Sequence, residues 1–117
     1  MNLEKLERGL VELGLQADKG MLEQFALYRN SLLSTPHNLT AIKDPDQILV
    51  DHFLDSVVGL PFLPPPEGLV FCDVGSGAGF PLLPMKILRP AMRCVFIDSR
   101  MKSTDFIAAT GNQLGLT

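Results

Sequence analysis

Residues 69–81 read LVFCDVGSGAGFP, and this stretch decides the fold. Its first six residues form a short apolar run of the kind that makes a buried parallel strand. Glycines then follow at alternate positions, at Gly75, Gly77 and Gly79. Glycines directly after a strand let the backbone turn sharply and let a ligand approach the main chain without hindrance from a Cβ atom. The stretch therefore predicts a buried strand that ends at a ligand-binding turn.

The residues after the glycine turn complete a strand–helix–strand–helix unit. Residues 81–88 predict a short helix with Pro81 and Pro84 in its first turn, and residues 93–98 predict a second buried strand. Residues 102–114 predict another helix, which Gly115 ends. A helix between two apolar strands is the crossover of a βαβ unit, whose strands are parallel. We therefore predict an α/β fold for the second part of the chain.

The residues before the first strand predict a helical cap. Apolar side chains at three- and four-residue spacing predict helices over residues 3–13 and from about residue 18 to residue 32. Asp44 and Pro45 form the start signal of a third helix. Four prolines within residues 61–68 exclude both a helix interior and a central strand. We predict a helical cap over residues 1–60, a proline-rich linker over residues 61–68 and the start of an α/β domain over residues 69–117.

Composition excludes several classes of protein. The chain has 117 residues, 10 of them Lys or Arg and 13 of them Asp or Glu, which gives a net charge of −3. Its basic residues form no stripe in the sequence of the kind that nucleic-acid binders carry. The longest uncharged run has 12 residues, whereas a membrane span needs about 18 apolar residues. The charged N-terminus does not read as a signal peptide. We therefore expect a cytoplasmic protein with no membrane segment.

Cysteine and basic residues give further expectations. Cys72 and Cys94 lie inside apolar runs and predict reduced, buried thiols. Two cysteines and two histidines supply too few ligands for a zinc site, so we expect no metal. Lys86, Arg89 and Arg93 predict a solvated basic face, with a phosphate-binding edge as the alternative.

Acids flank the glycine turn on both predicted strands. Asp73 stands two residues before Gly75, and Asp98 stands 25 residues after Asp73, at the carboxyl end of the second strand. A carboxylate at that end can accept hydrogen bonds from both hydroxyls of an adenosine ribose. The G-x-G-x-G spacing differs from the G-x-G-x-x-G of dinucleotide sites, and an acid beside the turn suits a cation better than a phosphate. These features favour S-adenosylmethionine, with a dinucleotide and a purely structural turn as alternatives.

Four separate motifs resemble one known family. They are residues 73–81, DVGSGAGFP; Asp98-Ser99 with Lys102; residues 38–42, NLTAI; and residues 52–57, HFLDSV. Together they resemble the glucose-inhibited division protein B family, also called RsmG. The resemblance implies a Rossmann-like, S-adenosylmethionine-dependent methyltransferase that modifies N7 of a guanine in bacterial 16S rRNA, with an N-terminal helical cap. Since the sheet of that family has more strands than the two predicted here, the resemblance implies an N-terminal half with only the first βαβ unit.

The resemblance also implies which residues form the site. Gly75 and Phe80 line the site of the methyl donor, Gly77 and Gly79 shape the turn, and Asp98 holds the ribose. The implied cofactor-binding set is Asp73, Gly75, Gly77, Gly79, Phe80, Asp98, Ser99 and Arg100. Candidates on the substrate side are Asn38, Thr40, His52, Asp55 and Lys102. Loop hydrogen bonds explain the first two of these candidates equally well.

Methylation at guanine N7 sets few demands on catalytic residues. The nitrogen carries a free lone pair, so its attack on a sulfonium needs no general base, and positioning suffices. We therefore assign no catalytic residue, and we interpret His52 and Asp55, which share a helix face, as a packing pair.

Alternative hypotheses are a methyltransferase of the same fold acting on a small molecule or a protein, and a non-catalytic binding module. We expect the 117-residue chain alone to be inactive and to self-associate through its exposed sheet edges.

Overall fold

The computed structural model describes residues 3–34, 44–63 and 68–116. Two helices come first, α1 over Leu3–Glu12 and α2 over Lys19–Ser34. A mixed helical segment follows, with α3 over Pro45–Gln47, a π-helix over Ile48–Phe53, α4 over Leu54–Val57 and a 3-10 turn over Leu60–Phe62. The second part of the chain alternates strand and helix, with β1 over Val70–Val74, α5 over Leu82–Leu88, β2 over Arg93–Ile97 and α6 over Met101–Leu114.

The two strands form a parallel pair. Val70 lies opposite Arg93 at one end of the pair, and Val74 lies opposite Ile97 at the other. Because α5 connects β1 to β2, these elements form the predicted βαβ unit, and the mixed α/β class is confirmed. Parallel strands end at the same edge of a sheet, so the residues after Val74 and after Ile97 come together there.

The expectation that both strands are buried is wrong for one face of the sheet. Side chains alternate along each strand, and those of Phe71, Cys94 and Phe96 pack against the core. The opposite face, which we call the outer face, is exposed at Val70, Cys72, Val74, Val95 and Ile97. The described helices pack on the other face only, so the apolar residues of the outer face have nothing over them in this part of the chain. The prediction of a buried thiol is therefore wrong for Cys72, while Cys94 is half-buried.

One cluster of buried apolar side chains joins the helical cap to the sheet. The cap contributes Leu6, Leu10, Phe25, Tyr28, Leu32, Phe53 and Val57 to it. The α/β unit contributes Leu82, Leu83, Met85, Ile87 and Leu88 of α5, together with Met92 and Leu114. Both α2 and α4 contact α5, so the short helix after the glycine turn lies between the cap and the sheet. The cap and the turn are therefore parts of one packed unit.

Helix start and stop signals act as predicted, whereas the π-helix is unexpected. Asp18 accepts a hydrogen bond of 2.8 Å from the amide of Met21 at the start of α2. Asp44 accepts hydrogen bonds from the amides of two residues in α3, at 3.0 and 3.4 Å. Gly115 has a φ of 74° and ends α6. The apolar spacing of residues 44–58 indicates an ordinary α-helix, but its centre is a π-helix, a rare form that is frequent at functional sites.

Lys86 contradicts the prediction of a solvated basic face. Its side chain is buried, and its ammonium donates hydrogen bonds to the carbonyl oxygens of Pro90, at 3.1 Å, and Met92. Both acceptors lie in the loop between α5 and β2, so the lysine holds this loop against the helix. Arg93 is exposed and Arg89 is half-buried. The three basic side chains therefore do not form one solvated face.

Candidate functional site

The glycine turn joins β1 to α5 and lies against the end of β2. The amides of Gly75 and Ser76 donate hydrogen bonds of 2.6 and 3.2 Å to the carbonyl oxygen of Ile97. The φ angles of Gly75, Gly77 and Gly79 are 78°, 56° and 98°, which residues with a Cβ atom rarely adopt. The three glycines are therefore required by the backbone, and the predicted sharp turn after β1 is confirmed.

The three glycines differ in what surrounds them. A Cβ atom built on Gly75 would meet no heavy atom within 4 Å, and one on Gly77 would lie 3.7 Å from the Nη2 atom of Arg100. A Cβ atom on Gly79 would instead lie 2.9 Å from the hydroxyl oxygen of Tyr28 and 3.2 Å from Leu83. The backbone of the turn is thus open to a ligand at its first two glycines and closed by packing at the third.

Asp98 lies at the carboxyl end of β2 and is bonded directly to the turn. Its Oδ2 atom accepts a hydrogen bond of 2.9 Å from the amide of Gly77. Its Oδ1 atom accepts hydrogen bonds from Arg100, of 2.8 Å from the backbone amide and 3.3 Å from Nε. The hydrogen bonds from Arg100 and Gly77 lower the pKa of Asp98 from 3.8 to about 2. The group is therefore ionised at neutral pH, and only 5% of its side chain is exposed.

Asp73 faces the interior at the last part of β1. Burial raises the pKa of this carboxyl group above its usual value. Within the described residues, its Oδ2 atom is buried and has no hydrogen-bond partner. A buried acceptor without a partner is uncommon in proteins and suits a donor supplied by a ligand. The backbone oxygen of the same residue accepts a hydrogen bond of 2.9 Å from Ser76 Oγ.

Phe80 follows the turn and belongs to an aromatic cluster that reaches it from the cap. Its ring centroid lies 4.9 Å from that of His52, 5.6 Å from that of Tyr28 and 5.9 Å from that of Phe53. Tyr28 also donates a hydrogen bond of 2.6 Å to the carbonyl oxygen of Ala78 inside the turn. Sequence reasoning missed this role, because the place of Tyr28 in the apolar stripe of α2 predicts only a core residue.

The structure brings some of the predicted site residues together and leaves others apart. All eight residues of the implied cofactor set lie in the turn or at the end of one of the two strands. On the substrate side, His52 is half-buried against Phe80, whereas Asp55 and Lys102 are exposed. Within the described ranges no hydrogen bond or ion pair joins His52 to Asp55. Asn38 and Thr40 lie outside the described residues.

Residues 3–34, 44–63 and 68–116 contain no group of three or more His, Cys, Asp or Glu side chains that could hold a metal ion. In the same ranges, the helices lack the combined length and apolar character that crossing a membrane requires.

Comparison with known proteins gives a family match. Residues 21–117 match the GidB family, described as rRNA small subunit methyltransferase G. The chain is 41% identical over 123 aligned positions to the ribosomal RNA small subunit methyltransferase G of Pediococcus pentosaceus. It is 37% identical to the protein of that name from Limosilactobacillus fermentum and 34% identical to the one from Bacillus cytotoxicus. The alignments include 100% of this chain and 50%, 49% and 50% of the three relatives, so the chain spans about half their length.

Proposed function

This chain belongs to the GidB family, rRNA small subunit methyltransferase G, and we propose that it forms part of an S-adenosylmethionine-dependent enzyme that methylates N7 of a guanine in bacterial 16S rRNA. The observation that carries the proposal is a glycine turn that is open at Gly75 and Gly77 and has a carboxylate on each side. The name of these relatives supports small-subunit rRNA as the substrate.

The residues around the turn fit the methyl donor. The unpartnered Oδ2 atom of Asp73 is suited to accept a hydrogen bond from the ammonium of the methionine moiety. Asp98 is ionised and lies at the carboxyl end of β2, where its oxygens suit the ribose hydroxyls. Two carboxylates at one turn attract a cation and repel a pyrophosphate, which favours S-adenosylmethionine over a dinucleotide.

Arg100 belongs to the donor site through its contact with Asp98. A carboxylate has about four lone-pair sites, and the amide of Gly77 and two N–H groups of Arg100 use three of those on Asp98. The hydrogen bond from Arg100 Nε is the longest of the three, at 3.3 Å, and the side chain of Arg100 is exposed. We expect this bond to give way when both ribose hydroxyls bind to Asp98. Ser99, exposed beside Asp98, is the remaining candidate at this end of the site.

Methyl transfer requires the protein to position the donor and the guanine and to exclude water from the site. When bound, S-adenosylmethionine would supply a methyl group to the lone pair of guanine N7 and leave as S-adenosylhomocysteine, with no proton released. No side chain is therefore needed as a base, and the packing of His52 on Phe80 fits a structural role. Lys102, exposed on α6, is the candidate on this chain for a contact with the phosphates of the RNA.

We further propose that the chain corresponds to the N-terminal half of a Rossmann-like, cytoplasmic methyltransferase. The parallel βαβ unit and the half-length match to the relatives support this proposal. In this organisation residues 1–60 form the helical cap, residues 61–68 the linker and residues 69–117 the start of the methyltransferase domain. Residues 64–67 of the linker lie outside the described residues.

Calorimetry with S-adenosylhomocysteine, the demethylated form of the donor, tests the donor site in this chain. We expect saturable binding to the wild type and its loss in Gly75→Val, which places a branched side chain on the open side of the turn. Gly14→Val is the matched control, because Gly14 has a φ of 77°, close to the 78° of Gly75, and open space around it, but follows α1. A wild type that does not bind, or equal binding by all three proteins, would refute the proposed donor site and favour a non-catalytic binding module.

A methyl-transfer assay tests the substrate. Residues 1–117 joined to the remaining half of the Pediococcus pentosaceus relative give a full-length enzyme, to be incubated with labelled donor and either 16S rRNA or free nucleosides. We expect label in the rRNA and, after digestion, in 7-methylguanosine. Label in free nucleosides or in added protein, but not in rRNA, would instead favour a methyltransferase of the same fold with another substrate.

A further inference from the structure

Tyr28 connects the helical cap to the centre of the glycine turn. Its side chain is fully buried, and its hydroxyl donates a hydrogen bond of 2.6 Å to the carbonyl oxygen of Ala78, 50 residues further along the chain. Ala78 stands between Gly77, whose amide is bonded to Asp98, and Gly79. Helix α2 therefore makes a polar contact with the segment of the turn that also holds the carboxylate of β2.

The position of the Tyr28 hydroxyl is tightly defined. The ring stacks on Phe53, with 5.3 Å between centroids, and on Phe80, with 5.6 Å. A Cβ atom on Gly79 would lie 2.9 Å from the hydroxyl oxygen. The hydroxyl thus occupies the space that a side chain at position 79 would need. The position of the tyrosine hydroxyl therefore requires a glycine at position 79.

The hydroxyl has a role that packing alone does not explain. Phenylalanine would fill the same apolar space, and a buried hydroxyl is unfavourable unless it is hydrogen-bonded. Burial raises the pKa of Tyr28 well above its usual value, and the negative charge of Asp73 adds to the increase. The group therefore stays protonated and remains a hydrogen-bond donor at neutral pH.

We propose that Tyr28 is a positioning residue for the methyl-donor site, in which its hydroxyl holds the carbonyl of Ala78 and thereby fixes residues 77–79 against Asp98. This inference rests on the proposed function, because it assigns the turn a donor to bind. Without the hydroxyl, the turn also populates conformations in which Gly77 has left Asp98. A ligand then binds only to the fraction of molecules with the turn in place, and its apparent affinity is the intrinsic affinity multiplied by that fraction.

The test compares Tyr28→Phe with Leu32→Val in the 117-residue chain. Leu32 is equally buried on α2, so its shortening perturbs the same core without removing a hydroxyl. Calorimetry measures the affinity for S-adenosylhomocysteine, and urea unfolding measures stability. Amide hydrogen exchange by NMR measures the opening of Gly77 and Gly79 without any ligand. We expect Tyr28→Phe to weaken binding by about three- to tenfold and to accelerate exchange at these two amides selectively. Leu32→Val should lower stability while leaving the affinity within about twofold.

The outcomes separate this inference from the proposed function. If the wild type binds S-adenosylhomocysteine and Tyr28→Phe binds it equally well, the positioning role is refuted while the donor site stands. Equal acceleration of exchange in both variants at matched stability would refute it too, since the effect would then come from the core. If the wild type does not bind, the donor site fails, and with it the inferred purpose of the Tyr28 contact.

Discussion

The amide of Gly77 donates a hydrogen bond of 2.9 Å to Oδ2 of Asp98, so the turn after β1 and the acid after β2 are joined directly. The two residues are 21 positions apart, and the parallel pairing of the strands brings them to the same edge of the sheet. Asp98 therefore has a structural role of its own besides the proposed contact with ribose. Substitutions at Asp98 should act on both the stability of the turn and the affinity for the donor.

Asp98→Asn should change the acid sensitivity of the fold. The folded-state pKa of Asp98 is about 2, below its ordinary value of 3.8. Its ionised form therefore stabilises the folded state above about pH 4, and this contribution is lost as the pH falls towards about 2. Because Asn cannot ionise, the variant should be less stable than the wild type at neutral pH, and the difference should shrink as the pH falls through this range. Urea unfolding followed by circular dichroism measures it.

Asp55→Asn is the control for this pH dependence, because Asp55 is an exposed carboxylate on α4 and not part of the turn. It removes one carboxylate without removing a hydrogen bond to Gly77, so comparison of the two variants at each pH isolates the part of the effect that comes from the turn. A stability difference for Asp98→Asn that does not vary with pH would mean that the carboxylate is not held in its ionised form by the turn.

Alanine at Gly75 and at Gly79 should have unequal effects, although both residues have positive φ angles. At Gly75 the added Cβ meets open space, so the cost is the backbone strain of about 1–2 kcal/mol. At Gly79 the Cβ also lies 2.9 Å from the Tyr28 hydroxyl and 3.2 Å from Leu83, so α2 or α5 must shift. We expect Gly79→Ala to lower the free energy of unfolding by about 2 kcal/mol more than Gly75→Ala. Equal losses in urea unfolding would contradict this difference.

Local signals explain why much of the fold can be predicted. The apolar runs of β1 and β2, the caps at Asp18 and Asp44 and the glycine turn each depend on a few neighbouring residues. The helix over residues 44–58 could not be predicted to contain a π-helix, because the apolar spacing alone does not distinguish the two forms.

Contacts between distant residues explain what could not be predicted. The burial of Lys86 depends on a loop that folds back onto α5, and the hydroxyl of Tyr28 finds its acceptor 50 residues away. Exposure of the outer face depends on which other elements cover the sheet. The sequences of the two strands do not contain that information. The roles of Asn38 and Thr40 stay predictions, because these residues lie outside the described ranges.

Self-association of this chain should depend on the outer face of the sheet. Val74 is 77% exposed there, beside exposed Val70 and Ile97, and apolar patches of this kind drive association. Within the described residues each strand also has one edge without a strand partner. We expect light scattering to detect a dimer or a larger species for the wild type and a shift towards monomer for Val74→Lys.

Val11→Lys is the matched control for this experiment. Val11 is 67% exposed on α1, so the same substitution adds the same charge at a position away from the sheet. It should leave the oligomeric state unchanged. A wild type that is monomeric at all concentrations, or an equal response to both substitutions, would mean that the outer face does not drive association.

His52 should contribute to methyl transfer through packing and not through proton transfer. Its ring lies 4.9 Å from that of Phe80, and guanine N7 attack releases no proton. His52→Phe keeps an aromatic ring against Phe80 but cannot accept a proton, whereas His52→Ala removes the ring. The measurement uses the full-length fusion of residues 1–117 with the remaining half of the Pediococcus pentosaceus relative. We expect His52→Phe to retain most of the single-turnover rate on 16S rRNA and His52→Ala to lower that rate about tenfold. A wild-type rate that depends on pH, with this dependence absent from both variants, would instead make His52 a base.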